Sequence, residues 1–386
     1  MNKVEIKDKT ALIKIFKTIS WLDSIRWEND NNYNFVYFSS NLTNSEKILT
    51  HWICYITDRQ MSFEKVWQDG GSVFSELVSD YSTKNILSPK EILDNHYKKD
   101  MKNKFKFTSA TNEFASRFVT VDYKNILQTL EFLDNHRHRR NIILYIVDIL
   151  RKFKTEADLL TRVACGLYLL TYQLKSNKTN PENAITILND NNKFERKLTE
   201  FKKSSTKNKK RLWCCIRDYK KGLYHKIFNE AVMENFSDIE AKELIESWEK
   251  LAMEHLELPG DVWNNNPMFR NKLFGKVIDF KDVKKPNMAE IIRELYNEMK
   301  GNNEIIDFYP EQFDITFDFV PRMCSMKLKK ICNVCLFGNK GIELICIPSK
   351  DKYCPVALFS CGYIYGCIGN NCILKTNLSS GICVGF

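Results

Sequence analysis

The chain has 386 residues, 44% of them hydrophobic and 27% charged, with a formal net charge of +10. That is globular composition, long enough for one large core or two ordinary ones, and it excludes a disordered or fibrous chain. The first ten residues, MNKVEIKDKT, carry charge where a secretory signal needs an apolar stretch, and the longest uncharged apolar helical run, Val163 to Leu174, is too short for a bilayer.

Taken in chain order, the sequence reads mostly as helices. Asn44 is a candidate cap for a helix with Ile48, Leu49, Trp52, Ile53 and Ile56 on one face. Gly70-Gly71 reads as a helix terminator. Asp122 is predicted to open a second helix striped by Ile126, Leu127, Leu130 and Leu133. Segments 141–153 and 156–175 are apolar enough to be central core helices, and the basic Arg137-His138-Arg139-Arg140 before them reads as a solvated turn or a phosphate contact. Ser237 and Glu240 form a capping box, followed by Ala241, Leu244, Ile245, Trp248, Leu251 and Ala252 at helical spacing as far as the breaker Pro259-Gly260. A further helix starts near Pro286, with Met288, Ile291, Ile292 and Leu295 aligned. Only 34–39 and 313–320 alternate with a strand period. The expected fold is mainly α, a multi-helix globular body (residues 1–200 and 201–320) with a C-terminal cysteine-rich metal-binding module (321–386).

Positive charge is concentrated. Between Lys202 and Lys226 stand ten Lys or Arg and one acid, Asp218, so this window alone carries +9 of the net +10. Phosphate backbones are the commonest polyanions such a window meets, and a solvated surface is the plainer alternative. Within it, Trp213 to Tyr219 interleaves aromatic and basic residues, as in segments that stack on bases and hold phosphates. On a helix, Leu212, Ile216 and Tyr219 would be buried while Arg211, Arg217 and Lys221 faced solvent. Candidate contacts to DNA or another nucleic acid are therefore Lys209, Lys210, Arg211, Arg217, Lys220 and Lys221.

Cysteine is the sharpest signal. Of thirteen, nine fall in the last 63 residues: Cys324, Cys332, Cys335, Cys346, Cys354, Cys361, Cys367, Cys372 and Cys383. An odd total, no secretory signal and C-x2-C spacing point to a reducing compartment and thiolate metal ligands rather than disulfides. The first four are spaced C-x7-C-x2-C-x10-C, and Cys354, Cys361, Cys367 and Cys372 would form a second site or complete the first. Four-thiolate sites hold zinc and iron–sulfur clusters alike, so spacing leaves the metal open. The uncharged run 353–374 contains Pro355, Gly362, Gly366 and Gly369, which suit a packed loop-rich module and not a membrane span. A soluble, intracellular, cytoplasmic protein is expected, with no membrane partner.

The amphipathic helix, the aspartate after a Pro-Gly turn (Asp261), the helices beyond it and the Arg322-to-Cys335 segment with its basic interior resemble the catalytic end of the helix–hairpin–helix DNA glycosylases of the endonuclease III type. In that family a C-terminal four-cysteine loop holds a [4Fe–4S] cluster. The resemblance implies a base-excision enzyme acting on damaged or modified DNA, with the target base flipped into a pocket. Asp261 would stabilise the oxocarbenium-like charge or activate the nucleophile. Lys242, nineteen positions earlier, would attack the sugar carbon to form a Schiff base, and Cys324, Cys332, Cys335 and Cys346 would hold the cluster. The alternative is a zinc-stabilised nucleic-acid- or protein-binding protein without catalysis. Six histidines occur, none in a paired metal-binding spacing, and His51 and His255 read as structural.

Overall fold

A computed structural model describes residues 5–10, 41–57, 70–96, 112–135, 140–172, 186–204, 206–220, 223–252, 278–279 and 288–301, with a few isolated positions beside them. These residues are mainly helical. The cysteine-rich 321–386, Asp261, and the two expected strands over 34–39 and 313–320 lie outside the described residues, apart from the single position Phe38. No helix among the described residues is long and apolar enough to cross a membrane.

The chain divides into two compact units. The larger comprises Asn34–Ser204 and Arg211–Glu254, the other Met1–Tyr33, Ser205–Lys210 and His255–Phe386. The larger unit is built around α1 (Asn44–Thr57), which packs against α2 (Gly70–Thr83), α4 (Asn112–Asp134), α5 (Ile142–Phe153) and α9 (Leu223–Asn235). Every residue of α1 from Ile48 to Thr57 is buried, so the one-faced stripe expected for it is in fact a helix enclosed on all sides. Its two buried threonines return their hydroxyls to the helix's own backbone, Thr50 to Glu46 O and Thr57 to Ile53 O, both at 2.9 Å.

The cap of α1 lies one residue before Asn44. Thr43 and Glu46 form the capping box: the Thr43 amide donates to Glu46 Oε2 at 2.8 Å, and Thr43 Oγ1 faces the Glu46 amide at 3.3 Å. Asn44 turns away and donates its side-chain amide to Glu234 on α9 at 2.7 Å, fastening α1 to α9. Helix α2 begins at Gly70, so the glycine pair opens a helix where a terminator was expected. Helix α4 likewise begins ten residues before Asp122, although Ile126, Leu130 and Leu133 are buried as the stripe requires.

Helices α3 (Pro89–His96), α6 (Leu159–Tyr172) and α7 (Asn191–Lys203) complete the outer packing, α3 against α2 and α4, and α7 against α6. The Asn141 side chain accepts from the Ile143 amide at 2.9 Å and caps α5. The α5–α6 contact is tight: Tyr145 donates to Gly166 O at 2.7 Å, and a Cβ at Gly166 would fall 2.5 Å from Ile149 Cδ1. Helix α10 (Asp238–Ala252) follows the expected box, with Ser237 Oγ 3.0 Å from Glu240 Oε2 and Ala241, Leu244, Trp248 and Leu251 buried. Helix α8 (Thr206–Lys220) carries the basic window.

In the other unit, β1 (Glu5–Ile6) pairs antiparallel with β2 (Ile278–Asp279), with Glu5 opposite Asp279. Helix α11 (Met288–Gly301) buries Ile291, Ile292, Leu295, Tyr296 and Met299, the stripe read from sequence extended by two members.

Candidate functional site

Asp218, the one acid of the basic window, sits at the centre of the densest buried polar cluster among the described residues. From α1, Tyr55 donates to Asp218 Oδ2 at 2.6 Å, and His51 Nε2 lies 3.5 Å from the same oxygen. From α8, Arg217 directs Nε and Nη2 to Asp218 Oδ1 at 3.1 and 3.0 Å. Tyr219 Oη lies 3.2 Å from His51 Nδ1 and 3.3 Å from Ile48 O, while Cys215 Sγ lies 3.9 Å from the same ring nitrogen. The Tyr224 ring of α9 covers the imidazole at a centroid distance of 3.7 Å, and Trp248 of α10 donates its indole N–H to Tyr219 O at 2.8 Å. Two helices, α1 and α8, thus meet at one carboxylate, and α9 and α10 cover its neighbours.

The line Cys215, His51, Asp218 has the order of a thiol, imidazole and carboxylate set for nucleophilic catalysis. Burial decides against that use. His51 and Cys215 are 0% exposed, and loss of solvent pulls the imidazole below its ordinary value although Asp218 draws it upward. The same burial pushes the Cys215 thiol up. A neutral thiol beside a neutral imidazole is a weak nucleophile with no route to substrate. The chemistry this cluster performs is cohesion: a charge-assisted knot between α1 and α8.

A pH dependence follows. His51 folded below its ordinary 6.5 means that the unfolded chain takes up a proton first as pH falls. Its contribution is therefore complete above about pH 6.5 and is lost below it, with a slope of at most ~1.4 kcal/mol per pH unit for one group. His225, also lowered by burial, acts in the same direction. Thiols raised by burial (Cys215, and Cys165 pushed up to about 12) have the opposite sign, and their contribution is lost as pH rises above about 9. Urea midpoints measured from pH 5 to 10 are expected to peak between 6.5 and 9. A midpoint that does not fall between pH 6.5 and 5 would contradict the neutral His51.

Two of the six candidate phosphate contacts are corrected by this geometry. Arg217, expected to face solvent, is 9% exposed and engaged with Asp218; Lys209 is 2% exposed. A buried cation does not reach a phosphate backbone. Leu212, Ile216 and Tyr219 are buried as expected. Lys220 is half-buried on the last turn of α8; Lys210 and Arg211 belong to α8, but their side chains, and Lys221 altogether, lie outside the described residues. The basic turn before α5 is also corrected. His138 is buried against Phe132 with Nε2 3.0 Å from Asp148 Oδ2, and Arg140 is folded inward onto backbone carbonyls.

Lys242 is exposed in the second turn of α10. The connection from α9 to α10 is the short Phe236-Ser237, and residues 236–241 contain no glycine, so the backbone amides of a phosphate-binding hairpin have no counterpart here. The exposed face around Lys242 holds Asp238, Glu243, Glu246 and Glu249, with Lys250 the one other cation, while Glu240 turns away to Arg151 at 3.2 Å. Asp261 and the ligand candidates Cys324, Cys332, Cys335, Cys346, Cys354, Cys361, Cys367 and Cys372 lie outside the described residues. Among the described residues Cys54, Cys165 and Cys215 are buried thiols outside any disulfide, and no group of three or more His, Cys, Asp and Glu is placed to hold a metal.

The cluster centre was missed from sequence because its members are far apart in the chain. The available signals were the lone acid among ten cations and the His51/Tyr55 pair one helical turn apart. No protein-family model matches the sequence, and no curated protein and no solved structure matches it.

Proposed function

We propose that this chain binds nucleic acid through basic helical surface and holds metal in its cysteine-rich C-terminal segment. The observation that carries the reading is the segregation of charge: +9 of a net +10 lies in one 25-residue window, Lys202 to Lys226. Cations that neutralise phosphates release condensed counterions, so the binding depends steeply on salt. With Arg217 and Lys209 buried, the contacts fall to Lys210, Arg211, Lys220, Lys221 and the cations that flank α8. Cys324, Cys332, Cys335 and Cys346 would hold a [4Fe–4S] cluster or zinc, with Cys354, Cys361, Cys367 and Cys372 as a second set. The metal would supply folding free energy to a short segment rich in thiols.

Base excision is the second reading, favoured by the C-x7-C-x2-C-x10-C series that follows Asp261. It stands second because Lys242 shares its helix face with four carboxylates, Asp238, Glu243, Glu246 and Glu249, which repel a DNA backbone. Fluorescence anisotropy of a labelled duplex tests the first reading: affinity should fall by at least about tenfold between 50 and 200 mM salt. No binding at 50 mM salt would overturn it. Duplexes carrying damaged or modified bases test the second: Asp261→Asn should abolish base release and keep binding, whereas release that survives the substitution removes Asp261 from the chemistry.

A further inference from the structure

We infer that the solvent face of α7, centred on Arg196 and Lys203, is the surface that meets the nucleic-acid backbone; this rests on the binding reading above. Helix α7 is docked by Phe194, Leu198 and Phe201, all buried, and capped by Asp190, whose side chain accepts from the Lys193 amide at 3.1 Å. On the opposite side Asn192, Arg196, Thr199 and Lys203 recur at one-turn intervals, all exposed and with no carboxylate in the row.

The neighbouring charges on α7 are already committed. Glu195 pairs with Arg162 of α6, Glu200 with Lys197, Lys193 with Asp190 at 3.6 Å, and Lys202 with Asp158. Arg196 bonds only its own helix backbone, Nε to Asn192 O at 3.4 Å, and Lys203 has no carboxylate partner among the described residues. The result is a polar, cationic stripe whose flanking acids each have a cation partner, with Arg162 shared among Glu156, Asp158 and Glu195. Its two cations are seven residues apart, or about 10 Å along the axis. Lys202 and Lys203 also occupy the last turn, where cations complement the helix dipole.

The acidic exposed face of α10 provides the internal comparison. Anisotropy titrations of the full chain would use a labelled duplex at several salt concentrations, with Arg196→Glu/Lys203→Glu set against Lys90→Glu/Lys250→Glu, two exposed cations outside the basic window. Both pairs change net charge equally, and all four residues are exposed. The α7 pair is expected to weaken binding by tenfold or more, and Arg196→Ala/Lys203→Ala to reduce the salt slope by about 2, while the control pair stays within about threefold of wild type. Circular dichroism confirms that each variant is folded. Equal losses in both pairs, or an unchanged α7 variant beside a binding wild type, would overturn the assignment to α7 and leave the binding reading standing. Absence of wild-type binding would overturn both.

Discussion

Asp218→Ala is expected to lower folding stability by about 3–5 kcal/mol, the cost of removing one partner from a buried charge pair. The carboxylate accepts from Arg217 through two nitrogens and from the Tyr55 hydroxyl, with His51 beside it, and all four residues are buried. Its removal takes from the guanidinium a carboxylate bonded through two nitrogens and from the phenol an acceptor at 2.6 Å. A domain of ordinary stability has about 5–15 kcal/mol in total, so the substitution uses up roughly a fifth or more of it. Asp218→Asn should cost less, since an amide oxygen still accepts from Tyr55. Arg217→Met combined with Asp218→Leu should recover much of the loss, because apolar side chains of similar volume avoid the desolvation of both charges. Urea denaturation of the three variants decides the matter. A loss below about 1 kcal/mol for Asp218→Ala would mean that the cluster is not closed to water as described.

The second large effect is expected at Arg140. Its backbone has φ 64°, in the left-handed region where a side chain costs roughly 1–2 kcal/mol. Its guanidinium donates to Tyr81 O at 2.7 Å, Lys84 O at 3.2 Å and Leu87 O at 2.9 Å, and Nε contacts Asp134 Oδ1 at 2.5 Å. These carbonyls end α2 and lead into α3, so one planar fork on the α4–α5 turn closes the end of a helix that has no cation of its own in its last turn. The guanidinium also lies 4.8 Å above the Tyr81 ring. Arg140→Ala should cost about 3 kcal/mol, estimated from two charge-assisted hydrogen bonds lost after partial rehydration of the turn. Arg140→Gly should be about 1 kcal/mol less damaging than Ala, because glycine relieves the positive φ. Arg140→Lys should resemble Ala more than wild type, since one ammonium cannot span three carbonyls. Thermal melts of the three variants measure this, and Gly no better than Ala would contradict the backbone geometry.

These two sites show where sequence reading succeeds and where it stops. Helical periodicity identified α10 and α11 with their buried stripes, because an amphipathic pattern is written into neighbouring residues. Helix starts were less legible. Thr43 and Asn44 are both competent caps, and only the Glu46 contact decides for threonine. The segment before Asp122 has no breaker to announce that α4 starts at Asn112. The charged residues were the least legible. Arg217 and Arg140 lie in basic runs that read as surface, and both are drawn inward: Arg217 onto Asp218, its neighbour in sequence, which is itself anchored to Tyr55 across 163 positions, and Arg140 onto Tyr81 across 59. A run of like charge indicates composition but not which member finds a distant carboxylate or carbonyl. On α7 the informative pattern was different, with two cations one above the other and no acid between them.

Of the two proposed properties, metal holding and nucleic-acid binding, the metal has the most direct test. The full chain, purified without oxygen, is to be assayed for iron and zinc per polypeptide alongside its absorption spectrum. Bound metal at one or more ions per chain is expected. Broad absorption near about 400 nm would accompany several irons if the thiolates hold a cluster, and a colourless zinc protein would accompany the binding reading without base excision. A protein that carries neither metal, with its cysteines all titrating as free thiols, would contradict the claim.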